Sequence, residues 1–147
     1  MNNTSADIQQ LHDRDFNLWI EEIAIAVKNK DVEKMDWDNL LEEIEDMGKS
    51  EKRSLESYLE RLIEHILKLK YWDSERDRNY KHWQVEVINF RNRISRLLDR
   101  SPSLKNYMQE IYPRVFQDAV MAQQIEFDIP TDSFIELEKI LERNYFA

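Results

Sequence analysis

The chain has 147 residues, about one domain by the usual length relation, and its 41% hydrophobic content suffices for one modest core. One glycine and three prolines beside 35% charged side chains leave little turn chemistry for a sandwich or barrel and point to an all-α protein. The lack of cysteine excludes a disulfide framework, a thiol nucleophile and a thiolate-bound zinc or iron-sulfur site, and 21 basic against 30 acidic residues, net −9, oppose general attraction to nucleic acid or anionic lipid.

No apolar run approaches the roughly 20 residues of a spanning helix, and the N-terminus lacks the basic and apolar regions of a signal peptide. A cytoplasmic protein with no membrane role is therefore expected. Residues 1–10 are polar and without period, a flexible N-terminus ahead of a single helical domain over 11–147. A first helix is predicted from near Asp13, with Phe16, Trp19, Ile20, Ile23 and Val27 at spacings of three and four. Asn29, Lys30 and Asp31 interrupt it, Val32 to Met35 add one turn, and Asp36 or Asp38 caps a long helix beside Trp37. Along it Leu41, Ile44, Gly48, Glu51, Leu55, Tyr58, Leu62, His65 and Leu69 form a heptad seam reaching Trp72. At 1.5 Å per residue this spine is about 50 Å long.

Asp73 to Asn79 holds no apolar residue and reads as a connector, with Asn79 capping the next helix. Trp83, Val87, Phe90, Ile94 and Leu97 step by four and three, so a helix from Tyr80 to Arg100 is expected to pack antiparallel to the spine. Ser101-Pro102 stops that helix and starts another carrying Leu104, Tyr107, Met108, Ile111, Val115 and Met121, in which Pro113 should produce a kink or a split. Phe127 to Pro130 reads as a loop, and Thr131 or Asp132 as the cap of a short last helix bearing Ile135, Leu137, Ile140 and Leu141. The result is one bundle of four to six helices.

Gly48 sits inside a helical pattern, where glycine costs about 1 kcal/mol relative to alanine. A packing contact, a ligand, a hinge or a kink is expected to compensate. The register puts Glu51 and His65 on the buried seam, where a carboxylate needs a partner. Arg91, Arg93 and Arg96 are candidate cations, giving a structural polar core of Gly48, Glu51, His65, Arg91, Arg93 and Arg96. A sharper alternative brings Glu51, His65 and His82 together as an acid-base or metal constellation. Glu43 and Asp46 share a helix face and could ligate a hard cation, although such runs more often form a solvated face. Glu-x-x-His pairs, a glycine-rich phosphate loop, a serine nucleophile elbow and His-Glu-x-x-His are all absent from the sequence.

Two consecutive blocks carry opposite charge. Residues 31–51 hold nine acids against Lys34 and Lys49, net −7, and residues 76–100 hold seven bases against three acids, net +4. In an antiparallel hairpin, mutual neutralisation is the simplest expectation. The rival is a nucleic-acid-binding stripe of Trp72, Arg76, Arg78, Tyr80 and Lys81, with aromatic rings for base stacking and cations for phosphate.

Several segments taken together resemble the DUF29 family, a helical domain of unknown function abundant in cyanobacteria. They are Asp15-Phe16-Asn17-Leu18-Trp19 with Glu21-Glu22, the long stretch from Trp37 to Arg53, His65-Ile66-Leu67-Lys68, and Ser101-Pro102-Ser103-Leu104. The resemblance spans residues 11 to 140 and implies a helical fold. It carries over no catalytic residue, ligand or partner. Family members often open the third helix with a tryptophan-rich stretch, for which Lys81-His82-Trp83 is the nearest match.

The function expected from these features is a non-catalytic protein-protein interaction or regulatory module, with an unidentified protein partner and no cofactor or metal. Nucleic acid is the less favoured partner, and self-association is left open. The alternative is a nucleic-acid-acting or metal-dependent enzyme using Glu51, His65 and His82 with the arginine-rich helix. A third, weaker reading is an acidic mimic of nucleic acid.

Overall fold

Thr4 opens the first helix of the chain in a computed structural model that describes residues 3–147. Met1 and Asn2, part of the expected flexible N-terminus, lie outside the described residues. The Thr4 hydroxyl accepts from the Asp7 amide at 3.2 Å while the Asp7 carboxylate accepts from the Thr4 amide at 3.0 Å, a reciprocal capping box. Helix α1 (Ser5–Arg14) thus occupies much of the stretch expected to lack structure, and the helix predicted from near Asp13 is its successor, α2 (Phe16–Lys28). The capping signal was present, but a single buried residue, Ile8, left no apolar period to detect. Asp15 separates the two helices and caps α2 through the Leu18 amide.

Six α-helices and one 3-10 turn (Val32–Lys34) are formed among the described residues, with no strand. The protein is all-α. The chain groups into two compact units, Met1–Lys49 and Ser50–Ala147. Helix α3 (Trp37–Tyr71) contributes to both.

In the first unit, Ile8, Trp19, Ile23, Ala26 and Met35 form a small core with Leu11 and Leu40 against it. Helix α2 ends in a Schellman motif: the Asp31 amide donates to the Ala26 carbonyl at 2.8 Å and the Lys30 amide to the Val27 carbonyl at 3.1 Å. Lys30 occupies the left-handed position of this motif, at φ 54°, where glycine is usual. Asp36, 1% exposed, then receives the Trp19 indole N–H at 3.0 Å and the Asn39 side-chain and backbone N–H at 2.6 and 3.4 Å. One carboxylate ties α2 to the start of α3.

The second unit is built on the C-terminal part of α3, with α4 (Asp73–Arg100), α5 (Leu104–Gln123) and α6 (Leu137–Ile140). Leu55, Leu59, Leu62, Ile63, Ile66 and Leu67 are fully buried and pack with Val87, Ile94, Val115, Phe116 and Ile140. Helix α4 runs antiparallel to α3, as pairing of Arg100 with Glu51, Arg93 with Tyr58 and Trp83 with Trp72 requires. The expected connector Asp73–Asn79 is instead the first two turns of α4, and only Trp72 separates it from α3. Acidic Asp73 and Glu75 suit the positive end of the helix dipole, and each meets an arginine three residues on, Arg76 and Arg78. A helix end that covers no core needs no apolar residue. Asn79 is accordingly no cap; its side chain donates back to the Glu75 carbonyl at 2.8 Å.

Two further expectations, the split at Pro113 and the cap of the last helix, are corrected. Pro113 neither ends nor splits α5, because it faces solvent, where water can take the carbonyl bond its missing N–H forgoes. Thr131 and Asp132 lie in a turn, and Glu136 precedes α6.

Candidate interaction surface

The heptad seam of α3 is covered only in part. Leu55, Leu62 and Leu69 are core, but Leu41, Ile44 and Gly48 are exposed. The same holds on α2, where Trp19 and Ile23 are buried and Phe16, Ile20 and Val27 are not. Of sixteen exposed large hydrophobic residues among the described ones, ten fall in the first unit, each 43–65% exposed. Single exposed apolar residues are ordinary, but of these ten Phe16, Ile20 and Met47 converge on one groove. Phe16, Ile20 and Ala24 of α2 and Leu40, Glu43 and Met47 of α3 line a groove of about 440 Å³, floored by Trp19 and Ile23.

Local structure explains why this groove stays open. Trp19 is held from beneath by Asp36, and the His12 ring packs edge-on against Trp19 and Phe16 at 4.9 and 5.7 Å. Nε2 of His12 donates to Glu43 at 2.7 Å. That hydrogen bond, with a smaller contribution from Asp13, holds the imidazole above its ordinary range. The aromatic wall is thus positioned by a fixed polar frame.

The other candidate residues fall in the second unit, apart from Gly48. Added bulk at Gly48 would meet nothing within 4 Å, so no side chain or backbone among the described residues packs closely on it, and α3 runs through it as one helix. Glu51 is half-buried and accepts from the Ser101 hydroxyl at 3.1 Å, with Arg100 Nε at 3.6 Å. Its cation is Arg100, outside the expected set. Arg93 and Arg96 are exposed; Arg93 covers the Tyr58 and Phe90 rings, and Arg96 donates to the Asn92 carbonyl at 3.3 Å. Of the six residues expected as a polar core, only Arg91 is buried, at 8% exposure. It donates from Nε to the Ile140 carbonyl at 2.9 Å, from one terminal nitrogen to Arg143 at 3.3 Å and from the other to Tyr145. Burial lowers its affinity for a proton, and three carbonyls replace the expected carboxylate. Arg91 fastens the end of the chain to α4.

Nδ1 of His65 donates to the Arg61 carbonyl at 2.7 Å, and burial holds the ring below its ordinary range. His82 and Glu86 of α4 are near enough to act on its charge. Glu51, however, precedes His65 by fourteen residues on the same helix, about 21 Å at 1.5 Å per residue. The constellation of Glu51, His65 and His82 is therefore not assembled, and no cluster of three or more metal-ligating residues occurs among the described residues.

Within the aromatic and basic stripe, Trp72 and Arg76 are engaged in the fold. Trp72 stacks between Trp83 and Phe127, at ring separations of 5.9 and 4.8 Å. Arg76 donates to the Leu69 and Lys70 carbonyls at 2.7 and 3.0 Å, closing α3, and Arg78 pairs with Glu75. Tyr80, Lys81 and His82 are exposed. No helix among the described residues is long and apolar enough to cross a membrane.

The family model described as "Domain of unknown function DUF29" matches residues 11–146. The chain belongs to this family. Neither the curated proteins nor the solved structures contain a match. The DUF29 match begins at Leu11 in α1, so it takes in both walls of the groove and the His12–Glu43 contact that frames it.

The groove is not legible in the sequence. An apolar period says that a face avoids water but not what covers it, and Leu41 and Ile44 continue the period of the buried seam. The available signal was the dense acidic run on the same turns, which an internal seam does not need.

Proposed function

We propose that the protein is a non-catalytic interaction module whose binding face is the apolar groove of the first unit. The observation that carries this reading is the concentration of exposed apolar side chains on α2 and the start of α3. The residues that would serve chemistry do not gather: Glu51 is engaged by Ser101 and Arg100 and lies far along α3 from His65. The test compares proteins recovered from native cells with the wild-type chain and with the Ile20→Asp/Ile44→Asp double variant. Both positions are solvent-exposed, so folding should survive, as circular dichroism would verify. Loss of specific partners is expected, and identical recovery refutes the reading.

A further inference from the structure

Charge decides what kind of partner suits the groove. The first 49 residues hold thirteen acidic and five basic side chains, net −8 of the chain's −9. On α3, at about 100° per residue, Leu40, Ile44 and Met47 form a stripe with Glu43 and then Asp46 on one border and Leu41 on the other. Glu21 lies beside the α2 stripe of Phe16, Ile20 and Ala24. Among the described residues Glu43 is the one acid of the Glu42–Asp46 run held in an ion pair, with His12. The rest are exposed.

We propose that the groove binds an amphipathic helix of basic character from a partner protein, with apolar positions at spacings of three and four seated between α2 and α3 and flanking lysines or arginines on the carboxylate rim. The proposal rests on the interaction reading above and names the partner's chemistry. A second copy of the chain fits less well. Phe16, Ile20, Ile44 and Met47 leave on the order of 400 Å² to solvent, a typical large surface patch, against roughly 800 Å² per partner in a standard specific interface. Two copies would also bring like charge together. A basic helix is attracted by the rim, which raises its rate of encounter and sets its selectivity.

The experiment titrates the full chain, at 50 and 500 mM salt, with two 20-residue helical peptides carrying leucine at the same positions, one flanked by lysine and arginine and the other by glutamate. Expected are micromolar binding of the basic peptide at low salt, at least tenfold weaker binding at high salt, and at least tenfold weaker binding of the acidic peptide. Ile20→Asp should weaken the basic peptide at least tenfold, and Asp46→Lys, an exposed change with little bearing on folding, several-fold. Equal binding of both peptides overturns the charge assignment while leaving the interaction reading intact. Binding of neither, or binding indifferent to both variants, overturns the proposal, as does sedimentation of the chain as a dimer that Ile20→Asp dissociates, which would make the occupant a second copy.

Discussion

Replacing Asp36 with alanine should open the first unit. The change removes the acceptor at the start of α3, worth about 1 kcal/mol for a helix cap, and strands the buried Trp19 indole N–H, at about 2 kcal/mol for an unpaired buried donor. Together these amount to roughly 3 kcal/mol, and since 1.4 kcal/mol is tenfold in an equilibrium constant, amides protected by local opening should exchange about 100-fold faster. The assay is native-state hydrogen exchange followed by NMR at Ile23 and Ala26, the other buried residues of α2 besides Trp19. Asp36→Asn keeps one acceptor oxygen and should accelerate exchange by only about tenfold. A change below threefold for Asp36→Ala would refute the view that this carboxylate holds the groove's floor.

Gly48→Ala should stabilise the protein by about 1 kcal/mol, because added bulk meets nothing in that exposed helical position; a destabilised variant in urea titration would reveal a contact the structure lacks. Lys30→Gly should also stabilise by about 1 kcal/mol, since it relieves the left-handed φ of a side-chain-bearing residue, and an unchanged urea midpoint would argue otherwise. Arg91→Lys leaves a single ammonium to serve three carbonyls and should cost about 2 kcal/mol; a loss under 0.5 kcal/mol, on the order of a neutral surface change, would count against the anchoring role. The two histidines should titrate oppositely. His12, raised by Glu43, contributes stability that is complete below the unfolded value near 6.5 and lost as pH rises through its folded value. His65, lowered by burial, contributes stability that is present above that value and lost as pH falls through its folded value. NMR titration of the imidazole resonances checks both, and either shift in the reverse direction contradicts the contacts described.

Much of the fold was legible because the second unit obeys its periodicity. Leu55, Leu62 and Leu69 lie where the seam predicts, and Trp83, Val87 and Ile94 face them from an antiparallel α4. The start of α4 was not legible, because Asp73–Asn79 gains its helix from dipole-matched acids and local arginine pairs without any apolar pattern. At Glu51 the demand for a cation was readable, but the choice of Arg100 over three nearer-seeming arginines depends on where α4 ends. Arg91 shows the opposite limit: its partners are backbone carbonyls, which no side-chain sequence announces. The distance between Glu51 and His65 could have been read from their separation along one helix. What covers an apolar seam could not, and the groove was hidden among residues that look like core.

Photo-crosslinking in living cells tests the central claim most directly, with the crosslinking residue installed singly in place of Ile20, Ile44, Ile88 or Ile125. All four are exposed isoleucines, the first pair in the first unit and the second pair in the other. The account predicts discrete adducts to a partner from Ile20 and Ile44 and none from Ile88 or Ile125. Adducts confined to Ile88 and Ile125, or of equal yield at all four positions, would contradict it.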